Sequence, residues 1–164
     1  MHHLWLLWLL FVVVYDVRQR RVPNWLVLAG AGAAAGALAM NLQPFGIGWP
    51  DALTGAATGF GFLLLFYVTG LMGAGDVKFA GALGLWVGTF ALLPIWVGAS
   101  LIAGLHALLW WVLHRWPVFP RLALILSGAP RAENQGAGKR IRPIPYAAYL
   151  AMAAAIWMVW GRQG

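Results

Sequence analysis

Polar residues are few along this chain and they come in clusters. The apolar stretches between the clusters cover residues 4–15, 25–40, 52–71, 77–93, 95–113 and 145–160. Several approach the roughly 20 residues a helix needs to cross the hydrocarbon core of a bilayer. The first is shorter, but it starts near the chain end and delivers Asp16 to an interface, so it is read as a span too. Pro94 marks the turn expected between the fourth and fifth stretches. The predicted fold class is an all-α membrane protein, a polytopic bundle of about six transmembrane helices forming a single domain over 1–164.

Composition strengthens that picture. Hydrophobic residues make up 62% of the chain and charged residues 9%, against about 45–50% and 25% in soluble globular domains. Apolar surface on this scale needs a lipid bilayer as its partner. The 164 residues leave no room for a sizeable soluble domain beside the membrane one. With no cysteine, disulfides, thiolate nucleophiles and cysteine-ligated metal sites are excluded. The N-terminal run has no Lys or Arg before it and no small-residue cleavage site after it, so it reads as a helix that stays and not as a signal peptide. His2 and His3 read as a solvated end.

The net charge of +7 is the one feature that could suggest nucleic acid. Its distribution says otherwise. The first gap holds Arg18, Arg20 and Arg21, the third is followed at once by Lys78, and the fifth, 114–143, holds Arg115, Arg121, Arg131, Lys139, Arg140 and Arg142. The gap 41–51 holds no basic residue. Only Arg162 falls on the other side, so the positive-inside tendency makes the odd gaps cytoplasmic and places both termini outside. Within the long cytoplasmic loop, 121–127 is too short to span and is expected along the interface, and 129–138 is a polar loop. Trp5, Trp25, Trp49, Trp110, Trp111, Trp116 and Trp160 fall near span ends, as membrane-anchoring aromatics do. Gly32 and Gly36, Gly55 and Gly59, and Gly84 and Gly88 are small-residue pairs suited to close helix packing.

The chain has four acidic residues, Asp16, Asp51, Asp76 and Glu133. Glu133 falls in the polar loop, and Asp51, after Pro50, reads as a helix N-cap. Asp16 and Asp76 each abut a span, where a carboxylate is costly. Two spans separate them, so both return to the cytoplasmic face. Two carboxylates held close together cannot both ionise easily, and one keeps a proton. The charged member can then activate water while the protonated one polarises a carbonyl. Two other arrangements suit the same residues. Asp16 can pair with Arg18 or Arg20, and Asp76 with Lys78, or the two carboxylates can relay protons or bind a cation in a transporter.

The sequence around the two aspartates narrows these options. Tyr15-Asp-Val-Arg-Gln-Arg-Arg-Val-Pro-Asn24 resembles the D-x-R-x-x-x-(I/V)-P-N segment of type IV prepilin leader peptidases, and Gly73-Ala-Gly-Asp-Val-Lys78 resembles their G-x-G-D-x-K segment. The two motifs stand in the family's order, about sixty residues apart. The resemblance implies an aspartic endopeptidase with Asp16 and Asp76 as the catalytic pair. It implies that Gly73 and Gly75 let the backbone turn tightly and approach substrate, that Pro23 and Asn24 fix the start of the second helix, and that Lys78 tunes Asp76 or snorkels to the interface. Pro143-Ile-Pro-Tyr146 is similar to a third family feature, Pro-Tyr-Gly, but Ala147 replaces the glycine and no function is assigned there. The implied substrate is a prepilin-like protein with a basic leader, a Gly and an apolar helix, cut at the cytoplasmic face of the inner membrane without metal or cofactor. Lacking the cysteine-containing N-terminal region of bifunctional members, the chain is expected to have no methyltransferase activity, as in the short forms of tight-adherence pilus systems.

Overall fold

A computed structural model describes residues 2–115 and 145–160, and every regular element among them is a helix. These are α1 (His2–Gln19), α2 (Asn24–Ala39), α3 (Trp49–Val68), α4 (Ala74–Arg115) and α5 (Tyr146–Trp160). By length and composition α3 and the Ala74–Val112 part of α4 are apolar enough to cross a membrane, while α2 and α5 are shorter apolar helices. The interfacial segment expected at 121–127, the loop 129–138 with Glu133, and Trp116 lie outside the described residues.

Although α4 has 42 residues, it is not one rod, because Gly88 has φ 72 and ψ −179. That region of backbone space is essentially open only to glycine. Gly59 of α3 abuts the Ala80 carbonyl, and a Cβ on it would also sit 3.5 Å from Leu92. A continuous helix would hold Ala80 and Leu92 about 18 Å apart, at 1.5 Å per residue. The chain therefore doubles back at Gly88: the leg 74–87 runs antiparallel to α3, and the leg 89–115 runs antiparallel to the first leg and parallel to α3. On the second leg Thr89 bonds Thr54 at 3.1 Å, and Trp96 stacks on Phe62 with ring centroids 4.4 Å apart. The turn expected at Pro94 thus falls at Gly88. A helix can carry a proline at the cost of one hydrogen bond, but this reversal needs a residue without a Cβ. The break leaves the last carbonyls of the first leg without helical partners. Gln43 Nε2 serves two of them, Leu85 O at 3.3 Å and Trp86 O at 3.2 Å.

Close packing uses the expected small residues only in part. Gly55 and Gly84 face each other with no room for a Cβ on either, whereas Gly32 and Gly36 have nothing within 4 Å. Two indole N–H groups fasten α2 to its neighbours: Trp8 donates to Leu26 O and Trp86 to Gly30 O, each at 2.9 Å. Trp5 is fully buried, edge-on to Phe45 at 5.0 Å, and is a core residue instead of an anchor. Trp25, Trp49, Trp110, Trp111 and Trp160 are exposed. His2 also packs edge-on to Phe45, so it is not a solvated end. Asp51 is not an N-cap: Gly48 holds that position, without a side-chain cap, and Asp51 lies in the first turn of α3. Its Cβ is 3.7 Å from where a Cβ on Gly88 would sit, at the reversal end of the bundle.

Candidate active site

Asp16 and Asp76 come from opposite kinds of helix end. Asp16 lies near the C-terminus of α1, which Arg20 closes in a left-handed conformation (φ 51) with its N–H on Asp16 O at 2.7 Å. The chain then passes through Pro23, the extended N-cap residue of α2 (φ −68, ψ 143). Asp76 lies in the first turn of α4, where the helix dipole favours a carboxylate. Gly73 precedes that helix and donates its N–H to Asp76 Oδ2 at 3.2 Å, while Asp76 N–H donates to Gly73 O at 3.1 Å. The carboxylate reaching back to the N-cap N–H is the acid half of a capping box; the other bond is an ordinary backbone turn, because Gly73 has no side chain to accept it.

The expected tight turn at Gly73 and Gly75 is displaced. The left-handed glycine of this connection is Gly70 (φ 77), placed where α3 ends and the chain must reverse. Gly73 instead supplies an amide to Asp76. Gly75 lies against the backbone of Val22, 3.5 Å from its N as measured from a Cβ position. That contact closes the start of α4 onto the segment following Asp16.

A third helix end completes the site. Ala147 N–H donates to Asp76 Oδ1 at 3.0 Å, and Ala148 N–H donates to Asp16 Oδ2 at 2.8 Å. The first N–H groups of any helix lack intrahelical partners and carry the positive end of its dipole. Here two consecutive amides of α5 each take one carboxylate. Pro145, just before α5, stands where a missing N–H costs nothing. Both carboxylates are buried, Asp16 at 3% and Asp76 at 7% exposure, and each is near enough for the charge of Asp16 to act on Asp76. The charge of Arg20 reaches Asp16. Neither aspartate takes the ion pair considered from sequence, since their hydrogen-bond partners among the described residues are backbone amides. Lys78 Nζ donates to Asn24 Oδ1 at 3.0 Å, which ties the first turn of α4 to that of α2.

Beside the pair, the Tyr146 hydroxyl lies 3.3 Å from Ser100 Oγ. These two residues end an apolar groove of about 500 Å³ along α3 and the second leg of α4, lined also by Phe62, Phe66, Met72 and Trp96. No group of three or more His, Asp or Glu that could hold a metal occurs among the described residues. Asp16 and Asp76, expected at one face, come together here, whereas the amides of Ala147 and Ala148 are an addition. Their signal in the sequence is the Pro-Tyr segment at the last apolar stretch, where Ala147 stands in place of glycine.

Residues 3–108 match the type IV leader peptidase family, and the chain belongs to it. Among curated proteins it is similar to the prepilin leader peptidase/N-methyltransferase of Xanthomonas campestris pv. campestris, 31% identical over 159 residues that cover 90% of this chain and 45% of that protein. The protein of the same name from Aeromonas hydrophila is 31% identical over 164 residues, covering 95% of this chain and 48% of the relative. That from Aeromonas salmonicida is 30% identical with the same coverage. The chain thus spans about half the length of the curated relatives it matches. No solved structure matches significantly.

Proposed function

We propose that this chain is a membrane aspartic endopeptidase that removes the short basic leader from prepilin-like precursors, with Asp16 and Asp76 as its catalytic pair. The observation that carries the proposal is the binding of these two buried carboxylates by consecutive amides of one helix end. Family membership and the names of the curated relatives supply the class of substrate.

In the proposed reaction the ionised carboxylate takes a proton from water, whose oxygen bonds to the scissile carbonyl carbon. The protonated carboxyl gives its proton to the carbonyl oxygen. As the tetrahedral intermediate collapses the C–N bond breaks, and the carboxyl that took the water proton gives it to the leaving amine. The other carboxylate takes a hydroxyl proton from the intermediate, which restores the pair with one proton. Gly73 positions Asp76 through its amide. Gly75, Pro23, Asn24 and Lys78 hold the first turns of α2 and α4 against the segment that carries Asp16.

The helices α1, α2 and α3, the two legs of α4, and α5 are read as six spans with both termini outside. The site end then carries Arg18, Arg20, Arg21 and Lys78 and faces the cytoplasm. A precursor whose apolar helix lies in the membrane would present its leader at that face. The two carboxylates account for cleavage, and no role in the N-methyltransferase activity named for the relatives is proposed.

The test is to incubate the detergent-purified chain with a synthetic peptide made of a basic leader, a glycine and an apolar helix, and to weigh the products. A single cut beside the glycine is expected. An intact peptide, or cuts scattered along it, would overturn the proposal.

A further inference from the structure

Tyr149 follows Ala148 on α5, one residue beyond the amide that holds Asp16. Its side chain is buried, at 4% exposure, and its hydroxyl has no hydrogen-bond partner among the described residues. The ring leans on His106 of the second leg of α4, with centroids 5.8 Å apart at 56°. The hydroxyl is within electrostatic range of Asp16 and Arg20, yet it bonds to neither. A buried hydroxyl normally finds a partner, and one left alone next to reactive groups calls for an explanation.

We infer that Tyr149 is a third catalytic side chain, whose hydroxyl holds the water that Asp16 and Asp76 activate. A buried water needs two to four polar partners. The Ala148 amide bonds Asp16 at Oδ2, and Oδ1 takes no donor among the described residues. The phenol O–H donates to the water oxygen and the water donates one O–H to the ionised carboxylate. Its remaining lone pair then faces the scissile carbonyl. On attack, that pair forms the O–C bond, the water proton passes to the carboxylate, and the carbonyl oxygen takes the proton of the other carboxyl. Tyrosine neither gains nor loses a proton overall.

The inference rests on the peptidase reading, and the experiment separates the two. The purified full chain, Tyr149→Phe and Asp16→Asn are assayed on the synthetic leader peptide, and each is melted. Tyr149→Phe should lower kcat by about 10–100-fold, as a misplaced reactant does, with KM unchanged. Because the hydroxyl has no partner among the described residues, the variant should melt no lower than the parent protein. An unchanged kcat beside an inactive Asp16→Asn would overturn the water-holding role and leave the peptidase reading standing. A raised KM at constant kcat would make the hydroxyl a substrate contact, and a clearly lowered Tm would make it a structural bond; either overturns the inference. An active Asp16→Asn would remove the peptidase reading and this inference with it.

Discussion

The backbone N–H of Ala148 lies 2.8 Å from the carboxylate of Asp16, a bond that joins positions 132 residues apart. The neighbouring Ala147 N–H lies 3.0 Å from Asp76. Both acids are thus tied to the start of α5, and the pair exists only when α1, α4 and α5 are docked together. The partial positive charge of a helix N-terminus favours negative charge on carboxylates held there.

Because the bond to Asp76 uses the amide and not the side chain of residue 147, two substitutions there should diverge. Ala147→Gly keeps the N–H and should retain most cleavage, with a stability cost of at most about 1 kcal/mol. Ala147→Pro removes the N–H, so leader cleavage should drop sharply while the protein still accumulates in membranes. Equal activity of the two variants would mean that the amide is not needed.

The reversal of α4 makes a second contrast. At φ 72 and ψ −179, Gly88→Ala forces a side chain into a region that costs about 1–3 kcal/mol. Its melting temperature should fall. Pro94→Ala, inside the second leg and exposed, should leave it unchanged or raise it. The opposite ranking would return the turn to Pro94.

These two contrasts mark what was legible in the sequence. The meeting of Asp16 and Asp76 is legible as an expectation because a charged side chain beside an apolar run is conspicuous and two apolar stretches separate them. The amides of Ala147 and Ala148 carry no side-chain signal, and alanine in a helix looks the same whether or not its N–H is used. In sequence Gly88 looks like half of a packing pair, since glycine serves both close approach and left-handed turns, and Pro94 is the more familiar break. Trp5 was misplaced for a similar reason: an indole near the end of an apolar run suits either a membrane edge or a core.

The rate of cleavage should trace a bell against pH. At low pH both carboxylates are protonated and nothing accepts the water proton; at high pH both are ionised and nothing polarises the carbonyl. Each limb therefore belongs to the coupled pair and not to one residue. Lys78 is bonded to Asn24, so Lys78→Met should leave both limbs in place. Removing a cation that did reach Asp76 would move the alkaline limb upward. Kinetics of the detergent-purified variant across pH would decide between them.

Orientation can be read with reporter fusions. A reporter placed after Asn24 or after Gly75 should read cytoplasmic, and one within 41–48 should read external. A cytoplasmic signal from 41–48 would separate the proposed site from the face where a basic leader waits.

The most direct measurement is leader cleavage by Asp16→Asn, Asp76→Asn and Asp51→Asn at matched membrane levels. Each of the first two should lose at least about 100-fold in rate, because each removes one member of the acid–base pair. Asp51 lies at the reversal end, beside Gly88, and its variant should cleave within about a factor of two of the parent protein. Near-normal cleavage by either Asp16→Asn or Asp76→Asn would contradict the paired-carboxylate site.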